Sequence, residues 1–384
     1  MAGTANNRIF YACQAVGFAK LGHDGADYKV AHGVQSVGIT TNFNLEQAFE
    51  LGQIQIYENI EGTPDVEVTM EKVLDGRPLL YHLASQGATS AGLVGRSKEQ
   101  ANVALGIWSD GFDYVGHEGG GHDNQPVVQV NMSGMYLSSL SYNMPIDGMA
   151  TESVTLVGNY KTWLTGTGST DLDPSGEGFG SDRPASSGLG GVQRRENFLR
   201  AKSILPTDID GVTSNGAGGI QAGCHLQSFS VSTDFSREDI FELGKKAPYY
   251  RSTNFPIEVT CDIEMVSISG DFIGAYEFGD PALYNTGALN TTASGDNTSE
   301  QRIVFVLENA TAFDLGEKNR LSSVSYGGGD ATGGNVSVSY SYTNFNDLEV
   351  LSSGDPALAE HGGSLKYSPA QSGYSGNWGK VVNA

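Results

Sequence analysis

The feature that most constrains this chain is an internal repeat. Residues 35–52 read QSVGITTNFNLEQAFELG and residues 227–244 read QSFSVSTDFSREDIFELG, identical at nine of 18 positions. Chance gives roughly one identity at that length with typical residue usage. Two further blocks follow in the same order. Glu67, Val68 and Thr69 stand opposite Glu258, Val259 and Thr260, and LSSLSY at 137–142 stands opposite LSSVSY at 321–326. Three blocks in one order mean that one unit is present twice.

Each copy has the same local grammar. In the second, Ile257, Val259, Cys261, Ile263 and Met265 alternate with Glu258, Thr260, Asp262 and Glu264. That period of two is a half-buried strand with an acidic outer face. The first copy alternates Val66, Val68 and Met70 with Asp65, Glu67, Thr69 and Glu71. Further strands are predicted at 35–41, 103–109, 127–142 and 153–160, with counterparts at 302–307, 321–326 and 336–342. A short helix is predicted after the first strand of each copy. Asn44 or Ser236 serves as its cap and Gly52 or Gly244 as its stop. Another is predicted around 78–85.

The fold class is therefore mainly β, built from two tandem units. Residues 1–30 are read as an N-terminal arm, 31–165 as the first unit and 166–222 as a connector rich in Gly, Ser and Asp. Residues 223–350 are the second unit and 351–384 a C-terminal arm. The connector contains a helix-prone stretch at 193–203 with Arg194 and Arg195. A structureless segment of the connector's length marks a boundary rather than the inside of a domain.

Charge narrows the function. The chain has 22 Lys and Arg against 44 Asp and Glu, a formal net charge of −22. Tight nucleic-acid binding needs cations that displace the phosphate counterions, so this balance opposes it. It allows nucleic acid to slide past a repelling wall, and it also fits plain solubility. Three scattered cysteines signal neither a disulfide framework nor a zinc knuckle. No apolar run is long enough to span a bilayer. The apolar stretch at 9–19 is broken by Gln14 and lacks a basic start, so it is read as mature protein.

Candidate chemical sites are few. Asp171, Asp173, Ser175 and Asp182, with Gly176, follow the spacing of a calcium loop. Pro174, the missing preceding helix and Asp in place of Glu at the twelfth position favour an ordinary acidic loop. His117, Glu118, His122 and Asp123 gather possible zinc or nickel ligands, but three glycines between them leave the set unorganised. The glycine run at 188–191 lacks the Lys-Ser/Thr of a phosphate loop. Neither a nucleophile elbow nor a defined Ser-His-Asp set is present, so no enzyme and no cofactor are expected. The acidic strand faces are the more informative feature. Glu67, Thr69, Glu71, Glu258, Thr260 and Asp262 either face bulk solvent or line a channel.

The runs VQSVGITTNFNLEQAFELG at 34–52, DVEVTMEK at 65–72 and MSGMYLSSLSY at 132–142, continued by ESVTLVGN at 152–159, resemble tail tube (major tail) proteins of tailed bacteriophages. The resemblance implies a β-sandwich or partial barrel flanked by a short helix. It also implies ring assembly around a lumen, stacked rings and passage of DNA. Partners would be other copies of the chain, with sheath, baseplate and terminator proteins, in a virion tail assembled in the host cytoplasm without a membrane. Such proteins carry one unit per chain and form hexamers. Two units per chain favour a trimer that keeps six units around the axis, with a hexamer as the other stoichiometry. A trimeric baseplate hub or tail-completion adaptor, and more remotely a calcium-binding secreted β protein, are the alternative readings.

Overall fold

Side-chain alternation of period two recurs along most of the chain and produces strands in that order. The computed structural model describes residues 9, 11, 14–22, 28–88, 90–108, 126–165, 191–198, 225–266, 303–309, 311–327 and 335–352. The first copy comprises β1 (Gln14–Lys20), β2 (Lys29–Val30), β3 (Val34–Asn42), β4 (Leu45–Phe49), β5 (Ile56–Glu61) and β6 (Asp65–Val73). It continues through α1 (Leu80–Ala84), α2 (Leu93–Arg96), β7 (Gln100–Ile107), β8 (Val128–Pro145), β9 (Thr151–Gly158) and β10 (Tyr160–Thr165). The second contains β11 (His225–Asp234), β12 (Arg237–Ile240), β13 (Tyr250–Thr253), β14 (Glu258–Val266), β15 (Val304–Val306) and β16 (Ala312–Asp314). It ends with β17 (Arg320–Gly327), β18 (Ser337–Phe345) and β19 (Glu349–Leu351).

The central layer is one antiparallel sheet in the order β3-β6-β9-β8-β11-β14-β18-β17. Its first four strands come from the first copy and its last four from the second. The seam is β8 against β11, from Ser228↔Pro145 to Asp234↔Ser139. Both copies therefore contribute the same four-strand unit, placed side by side and running on through hydrogen bonds.

The superposition of the two units is fixed by their irregularities. A bulge lies between Val34 and Ser36 in β3, and its counterpart between Leu226 and Ser228 in β11. Another lies between Leu137 and Ser139 in β8, matched between Leu321 and Ser323 in β17. A bulge is a local break that pins register, so these four positions set the alignment. They place Val66–Val73 on Val259–Val266, and hence Glu67, Thr69 and Glu71 on Thr260, Asp262 and Glu264. The sequence pairing of Glu67 with Glu258 is thus off by two residues. A shift of two keeps every side chain on its face, which is why alternation alone did not detect it.

A second layer covers the apolar face. In the first copy β8 is long enough to serve both layers. Its N-terminal half pairs with β7 and β10, β7 pairs with β1, and β1 with β2. Part of the segment expected to be an arm is accordingly a sheet strand, with Phe18 and Ala19 buried. In the second copy the small sheet β15-β16-β19 does the covering, and Phe305 stacks on Phe229 at 4.0 Å. One apolar core runs through both copies. Residues 191–198 stitch them together. The Gln193 N–H donates to the Leu74 carbonyl, and the Glu308 N–H donates to that of Asn197.

The helix expected at 78–85 is present as α1. Those expected after the first strand of each copy are not helices but hairpins, β4-β5 and β12-β13. An N-cap residue needs extended backbone, whereas Asn44 and Ser236 sit at φ of 46° and 42°. Asn42 and Asp234 side chains accept from the Asn44 and Ser236 N–H groups, turning the chain there. The segment left is too short for a stable lone helix. Gly52 and Gly244 do adopt positive φ, 95° and 89°, but near hairpin tips instead of helix ends. The 193–203 stretch contributes only a single 3₁₀ turn, Arg195–Asn197, among its described residues.

Candidate assembly surface

The sheet's outer face is built from hydroxyls and carboxylates. Cross-strand partners share a face, so the ladder reads directly: Ser36–Glu71, Gly38–Thr69 and Thr40–Glu67 in the first unit. In the second it reads Ser228–Glu264, Ser230–Asp262 and Ser232–Thr260. β9, β8 and β18 add Ser153, Thr155, Ser141, Ser339 and Ser341. The hydroxyls tie the strands laterally. Ser341 Oγ donates to Asp262 Oδ1 at 2.6 Å, Ser228 Oγ to Glu264 Oε2 at 3.3 Å, and the Ser232 and Thr260 hydroxyls lie 2.7 Å apart.

All six residues anticipated from sequence lie on this face: Glu67, Thr69, Glu71, Glu258, Thr260 and Asp262. Glu264, read from sequence on the same strand face but not among those six, completes the set as the counterpart of Glu71. Asp65 and Asp234 add charge at one end, while Arg320 on β17 is the one Lys or Arg at the paired positions of these eight strands that fall on this face. At the seam the face is hollowed into an open concavity of about 620 Å³ lined by Ser141, Ser153, Ser232, Asp234, Glu258 and Thr260.

The seam itself is well packed. On the core side Leu140, Tyr142, Phe229 and Val231 are at most 3% exposed. At the sheet's two outer edges the equivalent positions are Val324, Tyr326, Val37 and Ile39. Three of them are half-buried and Tyr326 is 53% exposed. Among the described residues, β3 pairs only with β6 and β17 only with β18.

The hairpins differ in the same way. β12-β13 folds back over the first copy. Arg237 donates to the carbonyls of Leu137 and Ser97, and its guanidinium lies 4.7 Å from the Tyr136 ring. Burial lowers its pKa to about 10, so it stays charged at neutral pH. Arg251 reaches Asp65 at 2.7 Å and Asp239 at 2.8 Å, and Tyr250 meets Tyr136 edge-on at 6.1 Å. Among the described residues, hairpin β4-β5 rests on nothing comparable: Leu45 is 64% and Phe49 70% exposed, and Leu51 and Ile54 are fully so.

Behind the first copy's sheet lies a buried polar cluster. Glu152 accepts from the Leu80 and Tyr81 N–H groups at 2.7 and 3.0 Å and from the Tyr142 hydroxyl at 3.0 Å. It thereby caps α1, whose first-turn donors otherwise have no carbonyl to meet. Burial raises the Glu152 carboxyl pKa, opposed by those N–H groups and by Lys72. Lys72, itself buried, pairs with Asp75 at 2.6 Å. These contacts organise the fold.

The calcium-like residues Asp171, Asp173, Ser175 and Asp182, and the 117–123 cluster, lie outside the described residues. Among the described residues no group of three His, Cys, Asp or Glu side chains is placed to hold a metal. No described helix is long and apolar enough to cross a membrane.

No family model matches the chain, and no curated protein does. Solved structures resemble part of it, among them the following two. The tube-terminating cap of the anti-feeding prophage is 16% identical, with a TM-score of 0.29, over 43% of this chain and all of that one. A chain of the sheath–tube complex of an extracellular contractile injection system, in its extended state, is 12% identical, also with a TM-score of 0.29, over 41% of this chain and 92% of that one.

Proposed function

We propose that the chain is a structural ring protein of a phage-type tail tube, whose rings close by repeating between chains the seam found within one chain. The observation that carries this reading is the pair of sheet edges left open among the described residues. β17 is the counterpart of β8, and β3 the counterpart of β11, so β17 of one chain meets β3 of the next as β8 meets β11. The equivalent register sets Tyr326 opposite Ile39, Ser325 opposite Thr40 and Val324 opposite Thr41. Pairing covers the half-exposed apolar positions and removes two sheet edges that otherwise invite aggregation.

The contact is head-to-tail, and such contacts generate a closed ring when the rotation between chains closes. A trimer places six four-strand units around the axis. The acidic, hydroxyl-rich face then lines the bore. Carboxylates there repel phosphates, so DNA passes without sticking. Hydroxyls keep the wall wet without adding cations. Function on this reading consists of assembly and passive conduction, with no covalent step.

Electron microscopy of the purified protein tests it. Rings or tubes with threefold symmetry and a pseudo-sixfold wall are expected, and a dispersed monomer at high concentration overturns it. Reversing Glu67 and Glu258 to Lys tests the bore separately. Both side chains are exposed, so tubes form and DNA passage slows. Unaltered passage returns those residues to a plain solvated face.

A further inference from the structure

The superposition that predicts the sheet seam also predicts what holds the two hairpins, and there the two joints differ in chemistry. Within the chain, Tyr250 of β13 packs on Tyr136 of β8, which is 5% exposed beneath the hairpin. β4 and β5 match β12 and β13 pair for pair. Leu45↔Glu61, Gln47↔Asn59 and Ala48↔Glu58 correspond to Arg237↔Thr253, Asp239↔Arg251 and Ile240↔Tyr250. Glu58 is therefore the counterpart of Tyr250. Tyr136 stands opposite Val157, and Arg320 stands opposite Thr343, the counterpart of Val157. Arg320 is therefore the counterpart of Tyr136, and both Glu58 and Arg320 are exposed within one chain.

We infer that hairpin β4-β5 clasps the second copy of the neighbouring chain and that Glu58 forms an ion pair there with Arg320 of that neighbour. The occupant is a second copy of this chain, indicated by the occupied version of the same joint and by opposite charges at matched positions. The other anchors change as well. Arg237 is replaced by Leu45, and the Asp239–Arg251 pair by Gln47 and Asn59. The inner joint is thus anchored by two arginines on the hairpin, whereas the outer joint carries its arginine on the receiving sheet. A hairpin offered to the wrong copy meets mismatched chemistry: Arg237 and Arg251 facing Arg320 repel, and Glu58 facing Tyr136 loses its partner. The outer joint therefore selects one copy over the other as well as adding affinity.

This inference rests on the ring reading, and one experiment separates the two. Ring formation is followed by mass photometry against protein concentration at low and moderate salt, for the full chain, Glu58→Arg, Arg320→Glu and the double swap. Both positions are exposed in the monomer, so all three variants fold, which circular dichroism checks. Each single change is expected to raise the half-assembly concentration about tenfold at low salt, because it sets like charges against each other in a covered joint. The double swap restores assembly to within about threefold of the parent. Rings in the parent together with a double swap no better than the worse single variant overturn the ion pair while leaving the ring reading intact. Absence of rings from the parent overturns both.

Discussion

The β8-β11 seam and the outer edges of β3 and β17 are built from matching strands, paired to each other at the seam and, among the described residues, each lacking a second neighbour at the edges. At the seam Val231 is fully buried, whereas its counterpart Ile39 is only half-buried. Tyr142 is 1% exposed beside Glu152, whereas its counterpart Tyr326 is 53% exposed. The bulges fall at matching positions in both. What differs is whether another four-strand unit lies alongside. On the ring reading proposed above, the chain has fused one joint of each pair covalently and leaves the other for a second molecule.

The sharpest way to break the comparison is a carboxylate at matched positions. Val231→Asp buries an unpaired charge in the shared core and is expected to unfold the chain, at a cost of roughly 4 kcal/mol or more. Ile39→Asp costs the monomer about 1 kcal/mol, since water still reaches the edge, yet abolishes assembly. Urea denaturation and mass photometry on the two variants decide the matter. Equal unfolding by both contradicts the claim that the edge is an open joint.

A second contrast lies behind the sheet. Lys72 and Glu152 of the first copy correspond to Met265 and Val338 of the second, so one unit hides a polar cluster where the other is apolar. Asp75→Ala leaves the buried Lys72 without its carboxylate partner, a loss of about 3–5 kcal/mol. Adding Lys72→Met copies the second unit and recovers most of that loss in the same urea titration. No recovery means the cluster's value lies in more than charge pairing.

Glu152 gives a smaller, pH-dependent effect. Its folded pKa is raised chiefly by burial, so the folded chain holds a proton that the unfolded chain has released. Stability therefore falls as pH rises from the ordinary carboxylate value through the raised one. Glu152→Gln removes that component of the slope. A variant whose stability keeps the parent's pH dependence locates the titration elsewhere.

Much of this was legible in the sequence because strands advertise themselves by alternation. The acidic face followed from Glu67, Thr69 and Glu71, and α1 from its position after β6. The two hairpins were not legible. LEQAFELG and REDIFELG carry helix-like ends, and only the backbone at Asn44 and Ser236 shows that the chain turns instead. Register was equally hidden, since EVT recurs two residues away from its structural equivalent and a shift of two preserves every face. The seam was beyond sequence altogether: identity between copies establishes that they are alike, not that β8 of one lies against β11 of the other.

The central claim is that the outer joint copies the inner one, and a pair of cysteines tests it directly. Ser141 stands opposite Ser232 at the seam, and Ser325 and Thr40 are their counterparts at the edges. Opposed residues in antiparallel strands lie within disulfide reach. In a background with Cys13 and Cys224 changed to Ser, Cys261 stays silent because it is buried and its thiol pKa is pushed up. Oxidised Ser141→Cys/Ser232→Cys is expected to run on a denaturing gel as a bridged monomer. Oxidised Thr40→Cys/Ser325→Cys is expected to give covalent dimers and a closed trimer. A bridged control alongside an edge pair that remains monomeric at assembling concentrations contradicts the account.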